Sequence, residues 1–187
     1  RSVKNGFDVS IGIDKLKSFY NEIYIPNMHR LGTPHHSLNF FMNIVDYYPH
    51  SVEFIALSHK QEIISGMFFL KLNDTFYNLI ALTKIGNENL RPIYQLYWES
   101  IKYAILNNMN KFDFGRSTID SGVFKFKQQW GPEVFPIYNT VIRKDGDITL
   151  NNNTYETPLY NICSKLWQKT PSVITKQVGP AIRRYLP

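Results

Sequence analysis

The sequence predicts an α/β protein in which a central mixed sheet carries helices on both faces. Three segments rich in β-branched and aromatic residues, at 52–59, 62–72 and 76–85, are separated by short polar turns, which indicates an antiparallel meander. A long amphipathic helix at 90–109 then leads into a short strand at 111–114, "KFDF". Because a helix links this strand to the meander, we expect a mixed sheet rather than a purely antiparallel one.

The remaining elements follow from periodicity. Apolar residues at helical spacing predict a helix at 13–29, and a second helix at 37–48 begins with a serine suited to capping. After the strand at 111–114 we expect a helix near 121–130 and a strand at 134–143. The strand at 111–114 is expected to lie centrally in the sheet, because it follows a long crossover helix.

Length and composition indicate one globular domain with a basic extension. The chain has 187 residues, of which 43% are hydrophobic, and a formal net charge of +6, which favours an anionic partner. We assign 1–150 to the domain and 151–187 to a basic amphipathic helical extension, in two pieces broken by Pro171 and Pro180. A helix docked on the domain, an anchor on anionic lipid and a partner contact are the alternatives for this extension.

Several classes are excluded or disfavoured. No run of about 18 apolar residues and no signal-peptide pattern occurs, and the first residue, Arg1 rather than Met, indicates a piece of a longer protein. A single cysteine, Cys163, excludes internal disulfides, favours a cytosolic setting and has the helical spacing of a core residue rather than a nucleophile. "DFG" at 113–115 lacks the other kinase motifs, and the adjacent His35 and His36 make a poor metal pair, so we expect no metal site.

The stretch "KFDFGRSTIDSGVFKFKQQWG" contains the strongest candidate site residues. Ligands commonly bind at the loop leaving the carboxyl end of a strand in α/β sheets, and Arg116 and Ser117 occupy that loop. A glycine opens the next helix, whose amide groups favour an anion. Lys125 and Lys127 alternate with aromatic residues and cannot share one helical face, so we expect one to point into the site and the other into solvent. A solvated basic stretch is the alternative.

Three motifs in the same order, "RLGTPHHSLNFF", "LYWESIKYAILNNMNKFDFGRS" and "GVFKFKQQWG", resemble the Fem-like acyltransferases. These are the peptidoglycan-bridge aminoacyltransferases and their relatives associated with extracellular polysaccharide and sorting systems, to which the closing "GPAIRRYLP" is also similar. The similarity covers residues 13–143. It implies the GNAT fold, whose sheet splays to admit an acyl donor, and transfer of an acyl or aminoacyl group to an amine on a cell-envelope or polysaccharide precursor.

The resemblance also implies residue roles. Lys127 falls on the lysine of the family's Phe-Lys motif and is expected to stabilise the oxyanion or the leaving group. Asp113, the nearest acid, would either accept a proton or fix Arg116, which would bind a phosphate. The other residues assigned to substrate binding are Ser117, Lys125, Trp98, Tyr97, Arg30 and His35.

Donor and partners follow from the same resemblance. We expect no tightly bound cofactor, and either acyl-CoA or aminoacyl-tRNA would be the co-substrate. CoA-dependent GNAT enzymes have several glycines in the loop before the long helix. The corresponding loop here, "TKIGNENLRP", has one glycine, which argues against CoA. The acceptor would be a small molecule or a lipid-linked saccharide. Further expected partners are tRNA, an anionic membrane at its cytoplasmic face and an N-terminal sister domain.

The alternative function is a catalytically silent GNAT-fold scaffold that binds a phosphorylated carrier or a sister domain, whereas RNA binding is disfavoured because no RNA module is recognised.

Overall fold

A computed structural model gives the fold over residues 6–142, 148–151 and 158–186, with the backbone alone for 139–142, 148–151 and Leu159. The central sheet has five strands in sequence order: β1 (Asp8–Ile11), β2 (Val52–His59), β3 (Glu62–Leu72), β4 (Thr75–Thr83) and β5 (Lys111–Asp113). Strands β1 to β4 pair antiparallel and β5 pairs parallel to β4, so the mixed sheet is confirmed. Strand β1 was not predicted.

The helices that surround the sheet are α1 (residues 13–30, with a 3-10 turn at Ile13–Lys15 and a π segment at Tyr20–Tyr24), α2 (Leu38–Tyr47), α3 (Pro92–Leu106) and α4 (Gly122–Gln128). A separate hairpin of β6 (Asn139–Ile142) and β7 (Ile148–Asn151) follows, and then α5 (Pro158–Lys169) and α6 (Ser172–Arg183). Ser37 caps α2 and Ser121 caps α4, each by accepting a hydrogen bond from the backbone N–H three residues later.

The meander is set by its turns and by its buried strands. Lys60 and Gln61 both have positive φ, as the tightest hairpin turns require, and they join β2 to β3. Side chains on both faces of β2 and β3 are buried, because helices cover both sides of the sheet.

Two apolar clusters fill the two sides. The first packs α1 and α2 on the sheet through Phe19, Phe41 and Phe68, and the second packs α3 and α4 through Leu96, Tyr97 and Phe126. Helices on both faces of the sheet are therefore confirmed.

Three sequence predictions were wrong in the details of these elements. Strand β5 lies at the end of the five-stranded sheet rather than in its centre, because the following chain turns into α4 instead of adding a strand beside it. The strand expected at 134–143 begins only at Asn139. Pro180 lies inside α6 and does not end it; the preceding Gly179 has no Cβ for the proline ring to clash with.

The cysteine prediction was also wrong. Cys163 is exposed on α5, because the side of this helix that faces the body of the protein is taken by Ser164, Trp167 and Gln168. In the parts of the chain that the structure describes, no helix combines the length and apolarity needed to cross a bilayer. Among the same residues, no group of three or more His, Cys, Asp and Glu side chains is arranged to hold a metal ion.

Candidate active site

The sheet splits between β4 and β5. The two strands pair only from Thr75 to Tyr77 on β4 and from Lys111 to Asp113 on β5, although β4 continues to Thr83. On its other edge β4 pairs Asn78 with Phe69 and Ile80 with Phe68, which leaves Leu79 as a bulge. The bulge re-aims the backbone at the position where the two strands separate.

A glycine lets the loop that leaves β5 approach β4 closely just after the pairing of the two strands ends. Gly115 has a φ of +72°, and a Cβ on it would lie 2.9 Å from the backbone oxygen of Asn78. Any other residue would therefore be strained in its backbone and would collide with β4. The loop that leaves β5 is held against β4 at this one place.

An open apolar pocket of about 240 Å³, which we call the cavity, lies beside the diverging part of β4. Its walls come from three elements: Ala81 on β4, Ile93 and Tyr97 on α3, and Gly122, Val123 and Phe126 on α4. A cleft with these walls suits an unbranched, largely apolar chain rather than a charged group.

Lys127 follows the cavity residue Phe126 on α4 and is the lysine that points inward, toward the loop that leaves β5. Only 9% of its surface is exposed, and its Nζ donates to the backbone oxygens of Gly115 at 3.1 Å and of Arg116 at 2.9 Å. Burial lowers the pKa of Lys127 below its usual value, and the charge of Asp113 partly opposes this. Lys125, two residues earlier on α4, is exposed. One lysine therefore points inward and the other into solvent, as expected.

Asp113 does not fix Arg116, which was one of the two roles expected of it. Its Oδ1 accepts a hydrogen bond from the backbone N–H of Gly115 at 2.6 Å, and among the described residues it forms no ion pair with Arg116. The carboxylate therefore shapes the loop that Lys127 also holds. Arg116 is exposed, and its carbonyl oxygen also accepts a hydrogen bond from Ser117 Oγ at 2.8 Å.

The buried Tyr97 and the half-buried Asn78 form a polar pair where the strands separate. Asn78 Nδ2 donates to the Tyr97 hydroxyl at 2.9 Å, and burial raises the pKa of Tyr97 to about 12. The Tyr97 ring stacks on Phe114 and on Trp130, with centroids 5.5 Å and 5.9 Å away. Asn78 Oδ1 and Trp130 Nε1 are buried without a hydrogen-bond partner among the described residues.

Sequence reasoning missed Asn78 and the bulge at Leu79. A polar residue within the mostly apolar β4 run "TFYNLIALT" was the available signal for Asn78. The bulge had no signal in the sequence, since it is a property of how β4 pairs with β3.

Three predicted substrate-binding residues lie elsewhere. Trp98 is 51% exposed and is not part of the cavity wall, because its neighbour Tyr97 takes the inward direction on α3. Arg30 donates to Asn27 Oδ1 at 3.0 Å near the end of α1. His35 is buried beneath α6, where a Cβ on Gly179 would lie 2.5 Å from its Nδ1, and burial is the main cause that lowers its pKa.

The loop between β4 and α3 uses its own groups to satisfy its backbone. Gly86 N–H donates to Glu88 Oε2 at 2.8 Å, and Asn87 N–H donates to the carbonyl oxygen of Lys84. Arg91 precedes α3 in a left-handed conformation. The loop therefore does not form a glycine-rich cradle of free backbone amides, which agrees with the expectation from its single glycine.

The sheet splits between β4 and β5, as expected for the GNAT fold, and a buried lysine contacts the loop at the split. Residues 15–128 match the family model described as "Acetyltransferase (GNAT) domain", and the chain therefore belongs to this family and is an acyltransferase. Enzymes of this family use acetyl-CoA as a co-substrate and not as a tightly bound cofactor; the comparisons give no support to aminoacyl-tRNA. Among curated proteins, no match to the chain is found.

Solved structures share the fold. FemX superposes with a TM-score of 0.60 at 16% identity, over 70% of this chain and 51% of FemX, so the chain spans about half the length of FemX. The aminoglycoside acetyltransferase meta-AAC0020 from an uncultured soil metagenomic sample, in complex with sisomicin, gives 0.59 at 8% identity, over 74% of this chain and 99% of that one. AAC(6')-Iy in complex with a CoA bisubstrate analog gives 0.55 at 9% identity, over 69% and 92%. At these identities the likeness concerns the fold alone.

Proposed function

We propose that this protein transfers an acyl group from an acyl-CoA thioester to the amine of a saccharide. The observation that carries the proposal is the separation of β4 from β5 beyond Tyr77 and Asp113, with the apolar cavity and the buried Lys127 beside it. Membership of the GNAT family supports the reaction type. The glycine-poor loop at Gly86 means that the cleft, rather than a phosphate cradle, would contribute most of the donor affinity.

The geometry suggests how the chain would assist the reaction. With the apolar arm of the donor in the cavity, the thioester carbonyl would lie near the bulge at Leu79, where a backbone N–H can polarise it. The neutral acceptor amine attacks the carbonyl carbon, a C–N bond forms, the C–S bond breaks and the thiolate leaves. The amine loses one proton in this step, and the thiolate gains one.

Lys127 is suited to stabilise the negative charge that develops on the oxyanion or on the departing thiolate. Two of its three Nζ protons are held by the carbonyl oxygens of Gly115 and Arg116, and the third has no acceptor among the described residues. In the proposal this third N–H stabilises the thiolate or the oxyanion. Asp113, exposed beside the loop, is the nearest group able to receive the proton from the amine.

The class of acceptor rests on two lines of support. The motif resemblance to Fem-like enzymes implies an amine on a cell-envelope or polysaccharide precursor, which includes a lipid-linked saccharide. The structural neighbour meta-AAC0020 is an aminoglycoside acetyltransferase, and its structure contains the aminoglycoside sisomicin. Both lines support an amine on a saccharide as the acceptor.

The test is an assay of free thiol released from acetyl-CoA, with amino sugars, aminoglycosides and simple alkyl amines as acceptors. We expect Lys127→Met to lower kcat/KM by about 100-fold, the effect typical of removing one donor to a developing oxyanion. Lys125→Met is the matched control, since it removes a lysine from the exposed side of the same helix, and its rate should stay within about twofold. Thermal unfolding of both variants checks that each is folded.

Two results would contradict the proposal. If Lys127→Met retained full activity, the catalytic role of the lysine would be wrong. If aminoacyl-tRNA supported transfer while acetyl-CoA neither reacted nor raised the melting temperature, the donor would be wrong and the Fem-like donor would replace it.

A further inference from the structure

The C-terminal helices α5 and α6 attach to the domain by one side only. His29 Nε2 lies 2.9 Å from the backbone oxygen of Thr170, and Gln168 Nε2 donates to the backbone oxygen of Arg30 at 2.8 Å. At α6, Arg183 Nε donates to His36 Nε2 at 3.1 Å. These contacts orient both helices, so their opposite sides face solvent.

Both helices expose a set of large apolar residues, and we call the surface that these residues form the outer surface. Its large apolar residues are Ile162, Leu166, Val173, Ile174, Val178, Ile182 and Tyr185. Their exposed fractions run from 38% at Val178 to 85% at Tyr185. Ile162 and Leu166 are one turn apart on α5. On α6, Ile174, Val178 and Ile182 form a row that flanks the side of the helix facing the domain. Contiguous exposed apolar rows of this kind mark interaction sites.

The same two helices are strongly basic. Residues 158–186 contain five Lys and Arg residues and no Asp or Glu. Four of the five are exposed, namely Lys165, Lys169, Lys176 and Arg184, while Arg183 is engaged with His36. Exposed apolar rows accompanied by long cationic side chains are the pattern of helices that lie in a membrane interface.

We propose that the outer surface of α5 and α6 binds reversibly to an anionic lipid bilayer, with both helices lying along the membrane plane. Lipid fits better than the other occupants. A second copy of the chain would bring the four exposed cations of each molecule against the same four of the other, which is repulsive. A nucleic acid would pair with the cations but leave the apolar rows without a partner. The inference stands on these helices alone and is independent of the acyl-transfer proposal.

The experiment is flotation of the full chain with vesicles of phosphatidylcholine alone and of phosphatidylcholine with one third phosphatidylglycerol. We expect binding to the anionic vesicles that weakens with salt, and little binding to the neutral ones. Lys165→Gln with Lys169→Gln should weaken anionic binding roughly 25-fold, about fivefold for each charge. Leu166→Ser should weaken binding to the same vesicles without affecting the fold, because this side chain is 61% exposed.

Matched control variants distinguish binding through the outer surface from attraction by the overall positive charge of the protein. Lys15→Gln with Lys60→Gln removes two exposed lysines elsewhere and should leave flotation within twofold, as should Leu106→Ser, an exposed leucine on α3. Absence of flotation, equal flotation with neutral vesicles, or equal loss in the control variants would each overturn the proposal. A dimer in light scattering that Leu166→Ser dissociates, without lipid binding, would assign the surface to a second copy instead.

Discussion

The two faces of the central sheet contain similar residues but differ in how tightly they close. Beneath α1 and α2 the aromatic residues are fully enclosed: Phe19, Phe41, Phe54 and Phe68 are each 2% exposed or less. Gly66 is needed there, since a Cβ would lie 2.6 Å from Phe19 Cδ2. Beneath α3 and α4, Phe69 and Phe76 are fully buried as well, but the aromatic residues on β5 and in the segment that follows it are only partly buried: Phe112, Phe114, Phe126 and Trp130.

The difference comes from the sheet beneath each cluster. The α1 and α2 face covers strands that pair along most of their length, so side chains can interdigitate without gaps. The α3 and α4 face covers the place where β5 stops pairing with β4 after Asp113. Apolar residues alone therefore do not produce a closed core, and an interrupted sheet leaves room for a ligand among them.

The largest expected effect lies on the closed face. Phe19→Ala should lower the free energy of unfolding by about 3–5 kcal/mol, because the ring is 1% exposed and its removal leaves a cavity against Phe54. Urea unfolding measures this change. The activity of the molecules that remain folded should be unchanged; a specific loss of activity would show that the two faces are coupled.

A smaller effect is expected on the open face. Tyr97→Phe should cost about 1–3 kcal/mol, because it leaves Nδ2 of the half-buried Asn78 without its acceptor. The same variant should raise the KM for the acyl donor, since Tyr97 lines the cavity. Tyr94→Phe on the same helix is the control, because that hydroxyl bonds Gln129 at an exposed position. Equal destabilisation by the two variants would contradict a buried role for the Tyr97 pair.

The smallest expected effect is a dependence of stability on pH. Burial lowers the pKa of Lys127 below 10.5, so between the lowered value and 10.5 the unfolded chain binds the proton that the folded chain has released. The contribution of Lys127 to the free energy of unfolding should therefore rise with pH in this window and be least favourable below it. The measurement is the difference between the native protein and Lys127→Met in urea at neutral pH and at about pH 10. A difference that shrinks on going to high pH would contradict the buried environment.

Part of the candidate site could be read from the sequence. Because Lys125 and Lys127 are two positions apart on a helix, only one of them was expected to point into the site. The strand followed by a polar loop predicted that Asp113 and Arg116 lie near the same site. That Asp113 accepts from the Gly115 N–H instead of pairing with Arg116 could not be deduced, because this short hydrogen bond depends on the local turn of the loop. The position of Asn78 beside Tyr97 likewise depends on where β5 stops pairing.

The sequence by itself determined most of the elements, their order and the family motifs, since hydrophobic periodicity and turn residues act over a few neighbouring positions. It also determined the basic, amphipathic character of residues 158–186. Only the tertiary structure decided that β5 lies at the end of the sheet, that β4 bulges at Leu79 and that Cys163 and Trp98 face solvent. These outcomes depend on contacts between segments far apart in the chain, which no local pattern encodes.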